Sequence, residues 1–407
     1  MSFVARITDA KPAESSAAAP GSEKPIVDAA RPKAAHAVDA ALLRIMAETK
    51  QSPLKIMRDF VGLSFGPGRV SFKDYTQLRL FDEEFWAGAD RRAVIGQLKG
   101  VEIHQQVNFR HEWWGLFDNK IAMASYLAAY GFPTIPVVAV YCPNLGTTAA
   151  NVVRTADELR RVLGDETRYP MFGKPVEGLQ SLGSVGLTRY VPQSGCLETT
   201  DGRAIALDAF VADIVRLYAD GYVLQKFAAP HSATRALCGE RLPTIRMVTL
   251  NLVGGPKVFR ACWKVPAGAN VADNYWRDGN LLAQLDPLQG TVQRVISGAG
   301  LALAHHIVHP DSKMHIIGFR IPHWEAMTAM VIEAARLMRH VPLIGWDVAA
   351  LEDGPVIVEM NERPDFFLPQ LADARGVLDA ELTDFMAMQK RKAAEWRKAN
   401  KSSLREL

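Results

Sequence analysis

The chain has 407 residues, 48% of them hydrophobic, and its 47 basic and 44 acidic side chains leave a formal charge of only +3. That is enough apolar material for a large core divided over roughly two or three domains. The charge balance excludes a global field that would draw the chain to nucleic acid or an anionic membrane, so partners have to be argued locally. Cys142, Cys196, Cys238 and Cys262 are far apart, with neither CxxC pairing nor metal-ligand spacing, which predicts reduced thiols and a cytoplasmic setting. No run of about 18 apolar residues occurs and the first residues lack the apolar core of a signal peptide, so no transmembrane segment is expected.

Residues 1–38 are dominated by Ala, Pro, Ser and Lys without periodicity and read as a disordered tail. A helical pattern follows, with Leu42, Leu43, Ile45 and Met46 before Pro53 and Ile56, Met57, Phe60 and Val61 after it. The Gly66-Pro67-Gly68 turn hands over to FKDYTQLRLFDEEFW, which suits a packed helical cap or a docking element equally. Asp118 is the predicted N-cap of a helix over 119–130, ended by Gly131 and Pro133, and an apolar strand follows at 135–141. Lys120 falls in the first turn of that helix, where the macrodipole disfavours a cation. A solvent-facing lysine is the plain alternative.

The stretch YPMFGKPVEGLQSLGSVGLTRY, residues 169–190, carries the first strong signal. A strand ends at Lys174-Pro175, a turn rich in Gly and Ser follows, and a second strand resumes near Val185. Gly178, Gly183 and Gly186 let the backbone approach a ligand, and free N–H groups in such a turn bind phosphate oxygens. Lys174 adds a fixed ammonium beside them. No Gly-Lys-Ser/Thr opens a helix here, so this is not a Walker A loop, and an ordinary hairpin tip has a similar composition. After a helix over 206–219, the strand at 222–227 sets Gln225 between apolar neighbours, to orient a ligand's edge or to face water. Strands over 244–253 and 257–265 carry Arg246, Arg260 and Lys264 in an alternation that puts cations on one face, with structural ion pairing as the competing account.

A hairpin over 281–296 turns at 286–290, and an amphipathic helix over 324–339 sets its methionines at core spacing. His305, His306, His309 and His315 do not form an HExxH pattern, so they read as surface or core histidines before a zinc site. Beyond Leu378 the sequence reads as a charged, solvated helix.

The stretch LIGWDVAALEDGPVIVEMNERPDFFLPQ, residues 343–370, organises the rest. Two apolar, β-branched runs flank Glu352-Asp353-Gly354, as in a hairpin. Asp347 lies in the first run, and Glu359 and Asn361 share one face of the second. A three-residue loop sets Asp347 opposite Glu359, whereas a two-residue Asp353-Gly354 turn sets it opposite Met360. Facing carboxylates call for a cation between them, which suggests Mg²⁺ held by a few carboxylates and phosphate oxygens. A solvated edge hairpin is the alternative.

Taken in order, the lysine-opening helix, the Lys-Pro plus Gly/Ser loop, the strand ending in Gln-Lys-Phe and the terminal Asp…Glu-x-Asn hairpin resemble the ATP-grasp superfamily over about residues 119–370. WDVAALEDGPVIVEMNERPDFFLPQ, TIRMVTLN and FKDYTQLRLFD resemble its sugar-transfer-associated group most. The resemblance implies an α+β ATP-grasp fold whose two lobes, 136–228 and 229–378, clamp ATP between antiparallel sheets. A smaller N-terminal region at 39–135 and a charged helix at 379–407 flank them. It implies that Lys120 and Lys174 meet the ATP phosphates, that Gly178, Ser181, Gly183 and Ser184 belong to a loop closing over them, and that Gln225 and Phe227 lie beside adenine. His231 stands where many relatives hold ribose with a glutamate, and Asp347, Glu359 and Asn361 match the Mg²⁺ ligands. Gly345 stands where D-alanine ligase-like members carry a phosphate-binding arginine, which leaves Arg246, Lys264 or Arg363 to substitute. The implied activity is an ATP- and Mg²⁺-dependent carboxylate–amine ligase working through an acyl phosphate on small or sugar-linked substrates, in cell-surface polysaccharide biosynthesis. An ATP-grasp phosphotransferase and a non-catalytic nucleotide-binding scaffold are the alternatives.

Overall fold

A computed structural model describes residues 38–145, 151–177, 183–270 and 272–400. Pro53 breaks the first helical pattern as expected: Val38–Thr49 ends before it, and Ser52 caps Pro53–Ser64 by accepting from the Lys55 N–H. Ser71 and Asp74 form a capping box that starts Phe72–Gln77. The aromatic-rich segment is a packed cap, since Tyr75, Phe81 and Trp86 share a core with Tyr275, Leu282, Ile296 and Phe367.

Among the described residues, two seven-stranded sheets form the body. The first contains β1 (Val137–Tyr141), β2 (Val152–Val153), β3 (Met171–Pro175), β4 (Val185–Val191), β5 (Cys196–Thr199), β6 (Ala204–Ala206) and β7 (Tyr222–Lys226), in the order β2-β1-β7-β3-β4-β5-β6. The second contains β8 (Thr244–Leu252), β9 (Gly255–Val265), β10 (Leu281–Leu285), β11 (Val292–Ser297), β12 (Ala304–His305), β13 (Leu343–Leu351) and β14 (Gly354–Asn361), in the order β12-β11-β10-β9-β8-β13-β14. Apart from the parallel β1–β2 pair, neighbouring strands run antiparallel.

Helices Ala156–Leu163 and Leu207–Leu217 cover the first sheet with Leu159, Leu163, Phe210 and Ile214. Helices Lys120–Ala129 and Trp324–Leu337 cover one face of the second with Met123, Leu127, Met327 and Val331 against Trp263 and Trp346. The methionines of the amphipathic pattern are therefore core residues, as their spacing predicts. The N-cap of Lys120–Ala129 is Asn119, whose side chain accepts from Ile121 and Ala122, and not Asp118, which ends a separate turn of helix at Gly115–Asp118. The terminal helix Ala380–Ala399 is not solvated all round. Leu382, Phe385 and Met388 bury against Ile103 and Val107 of helix Gln97–Val107, and the charged residues take the outer face. No helix among the described residues is long and apolar enough to cross a membrane.

The β13–β14 hairpin turns on Glu352-Asp353, because Leu351 pairs with Gly354, yet Asp347 still stands opposite Glu359. The register shifts between Asp347 and Val348, where Val358 is an extra residue in β14. Neither turn expected from the sequence forms; a two-residue turn plus a bulge gives the pairing of a three-residue loop. Segment 133–136 ties the sheets together: the Ile357 N–H donates to the Pro133 carbonyl at 2.9 Å and the Lys226 N–H to the Pro136 carbonyl at 2.9 Å.

Candidate active site

A cavity of about 380 Å³ lies between the sheets and gathers most of the residues singled out from the sequence. On one side stand Lys120, Lys174, Ser184, Gln225 and Phe227; on the other stand Arg246, Lys264, Asp347, Glu359, Asn361 and Arg363. Volumes of this order suit small-molecule ligands.

Lys174 reaches the cavity from the end of β3 and is only 8% exposed. Burial pulls its ammonium below the usual lysine range, Glu359 opposes that, and Lys120 adds to it. The preceding Gly173 is required by packing, since a Cβ there would sit 2.7 Å from the Tyr222 ring. Tyr222 in turn donates from its hydroxyl to the Gly183 carbonyl at 2.9 Å, which pins the end of the Gly/Ser segment to β7. Lys120, in the first turn of its helix, points back to the same place. Its Nζ lies 3.4 Å from the Val176 carbonyl and 3.9 Å from Glu359 Oε1. A lysine at that unfavourable helix position thus has its reason in the cavity. Gln225 is buried and donates to the Ile135 carbonyl at 3.3 Å.

The opposite wall is a charge network built on ladder neighbours. Arg246 stands opposite Asp347 across the β8–β13 ladder. It grips that carboxylate with two contacts, Nε to Oδ1 at 2.7 Å and Nη2 to Oδ2 at 3.1 Å. Lys264, from β9, donates to Asp347 Oδ2 at 3.1 Å and lies 3.7 Å from Asp273. Burial works against the charge of Asp347, but Arg246 and then Lys264 hold its carboxyl well below the usual range. Burial pushes the Asp273 carboxyl up, against the pull of Lys264. The cation that relieves Asp347 is thus protein-borne. Arg260, from the same alternation, is spent on Asp379 at 2.7 Å.

Gly345 explains how Arg246 fits. A Cβ at Gly345 would lie 2.8 Å from Pro364 Cβ and 3.5 Å from Arg246 Cδ. A side chain on β13 and the arginine arriving from β8 compete for one space, and here the arginine comes from β8.

Two expected residues lie elsewhere. His231 does not line this cavity; its Nδ1 accepts the Ala233 N–H at 3.1 Å to cap helix Ser232–Cys238, with Glu352 on its other side. Gly183 backs onto Tyr218, where any Cβ would lie 2.3 Å from the hydroxyl, and does not line the cavity either. Gly178 and Ser181 lie outside the described residues. The structure adds Asp273, Trp276 and Asp365 to the lining. Asp273 and Trp276 lie in the polar loop between β9 and β10, and Asp365 in the segment that follows β14.

For a divalent cation, no group of three or more His, Cys, Asp or Glu stands close enough to hold one among the described residues. Glu359 and Asn361 still fit Mg²⁺, which commonly takes one or two protein oxygens and completes its shell with phosphates and water. Buried Asn361 Nδ2 has no hydrogen-bond partner among the described residues, and exchanging the amide's two ends would turn an oxygen to the same place.

The family model for sugar-transfer associated ATP-grasp proteins matches residues 173–385, just over half of the chain. The chain belongs to the sugar-transfer associated ATP-grasp family. Comparison with curated proteins finds no match. Among solved structures, this ATP-grasp chain is similar to an ADP complex of N5-carboxyaminoimidazole ribonucleotide synthetase, at 13% identity and TM-score 0.36 over 65% of this chain and 53% of that one. It is similar also to D-alanine–D-alanine ligase from Bacillus anthracis, at 12% identity and TM-score 0.36 over 70% of each chain. A third similar structure, L-amino acid ligase from Bacillus licheniformis, has 13% identity and TM-score 0.33 over 69% of this chain and 49% of that one. The chain thus spans about half the length of the first and third of these.

Proposed function

We propose that this ATP-grasp protein is an ATP- and Mg²⁺-dependent ligase that joins a carboxylate to an amine through an acyl phosphate, with 136–228 and 229–378 as the lobes that clamp the nucleotide. The observation that carries the reading is the meeting of Lys120 and Lys174 with Glu359 and Asn361 in one cavity, with Arg246, Lys264 and Arg363 in its far wall. In this reading the adenine lies along Gln225 and Phe227, and Lys120 and Lys174 balance the phosphate charge. Mg²⁺, held by Glu359 and Asn361, would neutralise charge on the phosphate oxygens. Arg246 grips Asp347 through Nε and Nη2, which leaves Nη1 as a donor for an acidic substrate group. Asp347 then serves to aim Arg246 and Lys264 more than to bind metal. Because attack on the γ-phosphate is made by the substrate's own carboxylate, the protein supplies position and charge and no nucleophile.

Sugar-linked substrates in cell-surface polysaccharide biosynthesis are part of this proposal, and the family's association with sugar transfer supports them. The test is incubation with ATP, Mg²⁺ and a panel of carboxylates and amines, followed by phosphate assay and mass spectrometry. A ligase yields ADP, free phosphate and a product joined with loss of water. A phosphorylated acceptor without free phosphate would replace the ligase with a phosphotransferase, and tight ATP binding without turnover across the panel would leave a scaffold.

A further inference from the structure

A second cavity, of about 430 Å³, lies by Pro342 at the start of β13, between the end of helix Trp324–Leu337, the residues after helix Gln97–Val107 and the terminal helix Ala380–Ala399. Nothing in the ligase reading uses it. Its wall is aromatic and carries a net basic charge: Arg110, Arg339, His340 and Lys392 stand around Phe109 and Trp396, against one carboxylate, Glu395.

The cations there are poorly neutralised. Arg110 is paired with Glu112, but Arg339 and Lys392 form no ion pair among the described residues. Both guanidinium groups crowd His340, with Arg110 Nη1 3.4 Å from one ring nitrogen and Arg339 Nε 3.2 Å from the other. Burial and then these two arginines pull the imidazole below its ordinary range, so at neutral pH it spaces the cations without adding charge. Proximity to a helix C-terminus accounts for Arg339, but Arg110 lies on a loop and Lys392 is well inside its helix. The floor carries an independent sign. Gln389 lines the cavity, is 2% exposed, and its Nε2 has no hydrogen-bond partner among the described residues. A buried amide left unpaired is destabilising unless something else satisfies it. Trp396, held under the Arg110 guanidinium at 4.9 Å, and Phe109 supply apolar surface beside the charge.

We infer that this cavity is a second ligand site, for a small molecule that carries a phosphate group on an apolar or ring-bearing body. Planar guanidinium groups and an ammonium converging on one pocket suit a phosphate's oxygens, and the aromatic wall suits the body. The phosphate can come free in solution or on a lipid headgroup, since the terminal helix also exposes Lys390, Arg391, Arg397 and Lys398.

The test is calorimetric titration of the full chain with inorganic pyrophosphate, alongside co-sedimentation with phosphatidylcholine vesicles with and without phosphatidic acid. Arg339→Glu/Lys392→Glu should weaken one binding event by about tenfold or more, the loss of two charge-assisted contacts. Lys390→Glu/Arg391→Glu makes the same charge change on the same helix outside the cavity and should leave that event intact. Gln389→Leu, of similar volume, should weaken it while Lys174→Ala does not. Vesicle binding that the first double variant abolishes assigns the phosphate to a headgroup, and pyrophosphate binding that this variant weakens and Lys174→Ala leaves intact assigns it to a soluble ligand; either supports the site. Binding of neither probe, or equal weakening by the two double variants, overturns it.

Discussion

Replacing Arg246 by methionine keeps the length of the side chain and removes its charge, which isolates the pair with Asp347. The arginine and aspartate side chains are 11% and 8% exposed and joined by two contacts. Breaking a buried pair from one side costs about 3–5 kcal/mol, chiefly because the other charge stays buried. Lys264 remains 3.1 Å from Asp347, so the expected loss is the lower figure, about 3 kcal/mol at pH 7. Adding Asp347→Leu removes the stranded carboxylate and should recover at least about 1 kcal/mol. The acid side supplies a sign. In the wild type Asp347 is held below its unfolded range, so its contribution is complete above about pH 4 and is lost as the pH falls further. Without Arg246 its carboxyl rises and takes a proton sooner, which relieves the variant. The gap between the proteins, read from urea unfolding, should be widest at neutral pH and narrow as pH falls towards about 4. A loss under about 1 kcal/mol at pH 7, or a gap that grows in acid, would refute the claim that the pair is a structural clamp.

Glu359→Ala should abolish Mg²⁺-dependent ATP use while leaving the circular dichroism spectrum and melting temperature near wild type, because Glu359 is part-exposed while Val356 and Ile357 fix the strand. Full activity in that variant would remove the metal reading. Lys174→Met should weaken ATP binding by roughly tenfold to a hundredfold, the worth of one or two charge-assisted contacts, as measured by calorimetry. Gly345→Ala should cost about 1–3 kcal/mol in thermal unfolding, since its Cβ would overlap Pro364. Asp373 supplies a slope of opposite sign to Asp347: burial pushes its carboxyl up to about 6, against the pull of Arg260 and Arg294. Its folded value lies above its unfolded one, so it favours folding most below about pH 4 and costs stability as pH rises through about 6. Stability of Asp373→Asn measured at pH 5 and pH 8 should lack that decline, and an unchanged decline would exclude Asp373 as its source.

What could be read before the structure was whatever depends on neighbours in sequence. Lys120, Lys174, Glu359 and Asn361 stood out because a helix start, a strand end and a period of two each fix where a side chain goes. The grip of Arg246 on Asp347 joins residues 101 apart in sequence, and alternation could say only that cations share a face. Asp118 and Asn119 are equally good caps, and only the placement of the preceding turn of helix decides for Asn119. His231 occupied a plausible alignment position, but its ring is held locally by the helix that it caps. The terminal helix was misread because its charges outnumber the apolar residues that dock it, although Leu382, Phe385 and Met388 recur at intervals of three.

The extra residue in β14 acts on the hairpin as a frameshift acts on a coding sequence. Between the turn and Val358, the odd-numbered Ile357 enters the core beside Val348; past it, the even-numbered Met360 takes over beside Trp346. Without that change of phase, Glu359 and Asn361 would follow Ile357 into apolar packing and Met360 would face the nucleotide cavity. Removing Val358 keeps the frame, because Glu359 then follows Ile357 directly in regular alternation. An insertion between Glu359 and Asn361 breaks it and sends one polar group inward. Length variants of this hairpin should therefore survive at the turn or at position 358, and fail beyond it.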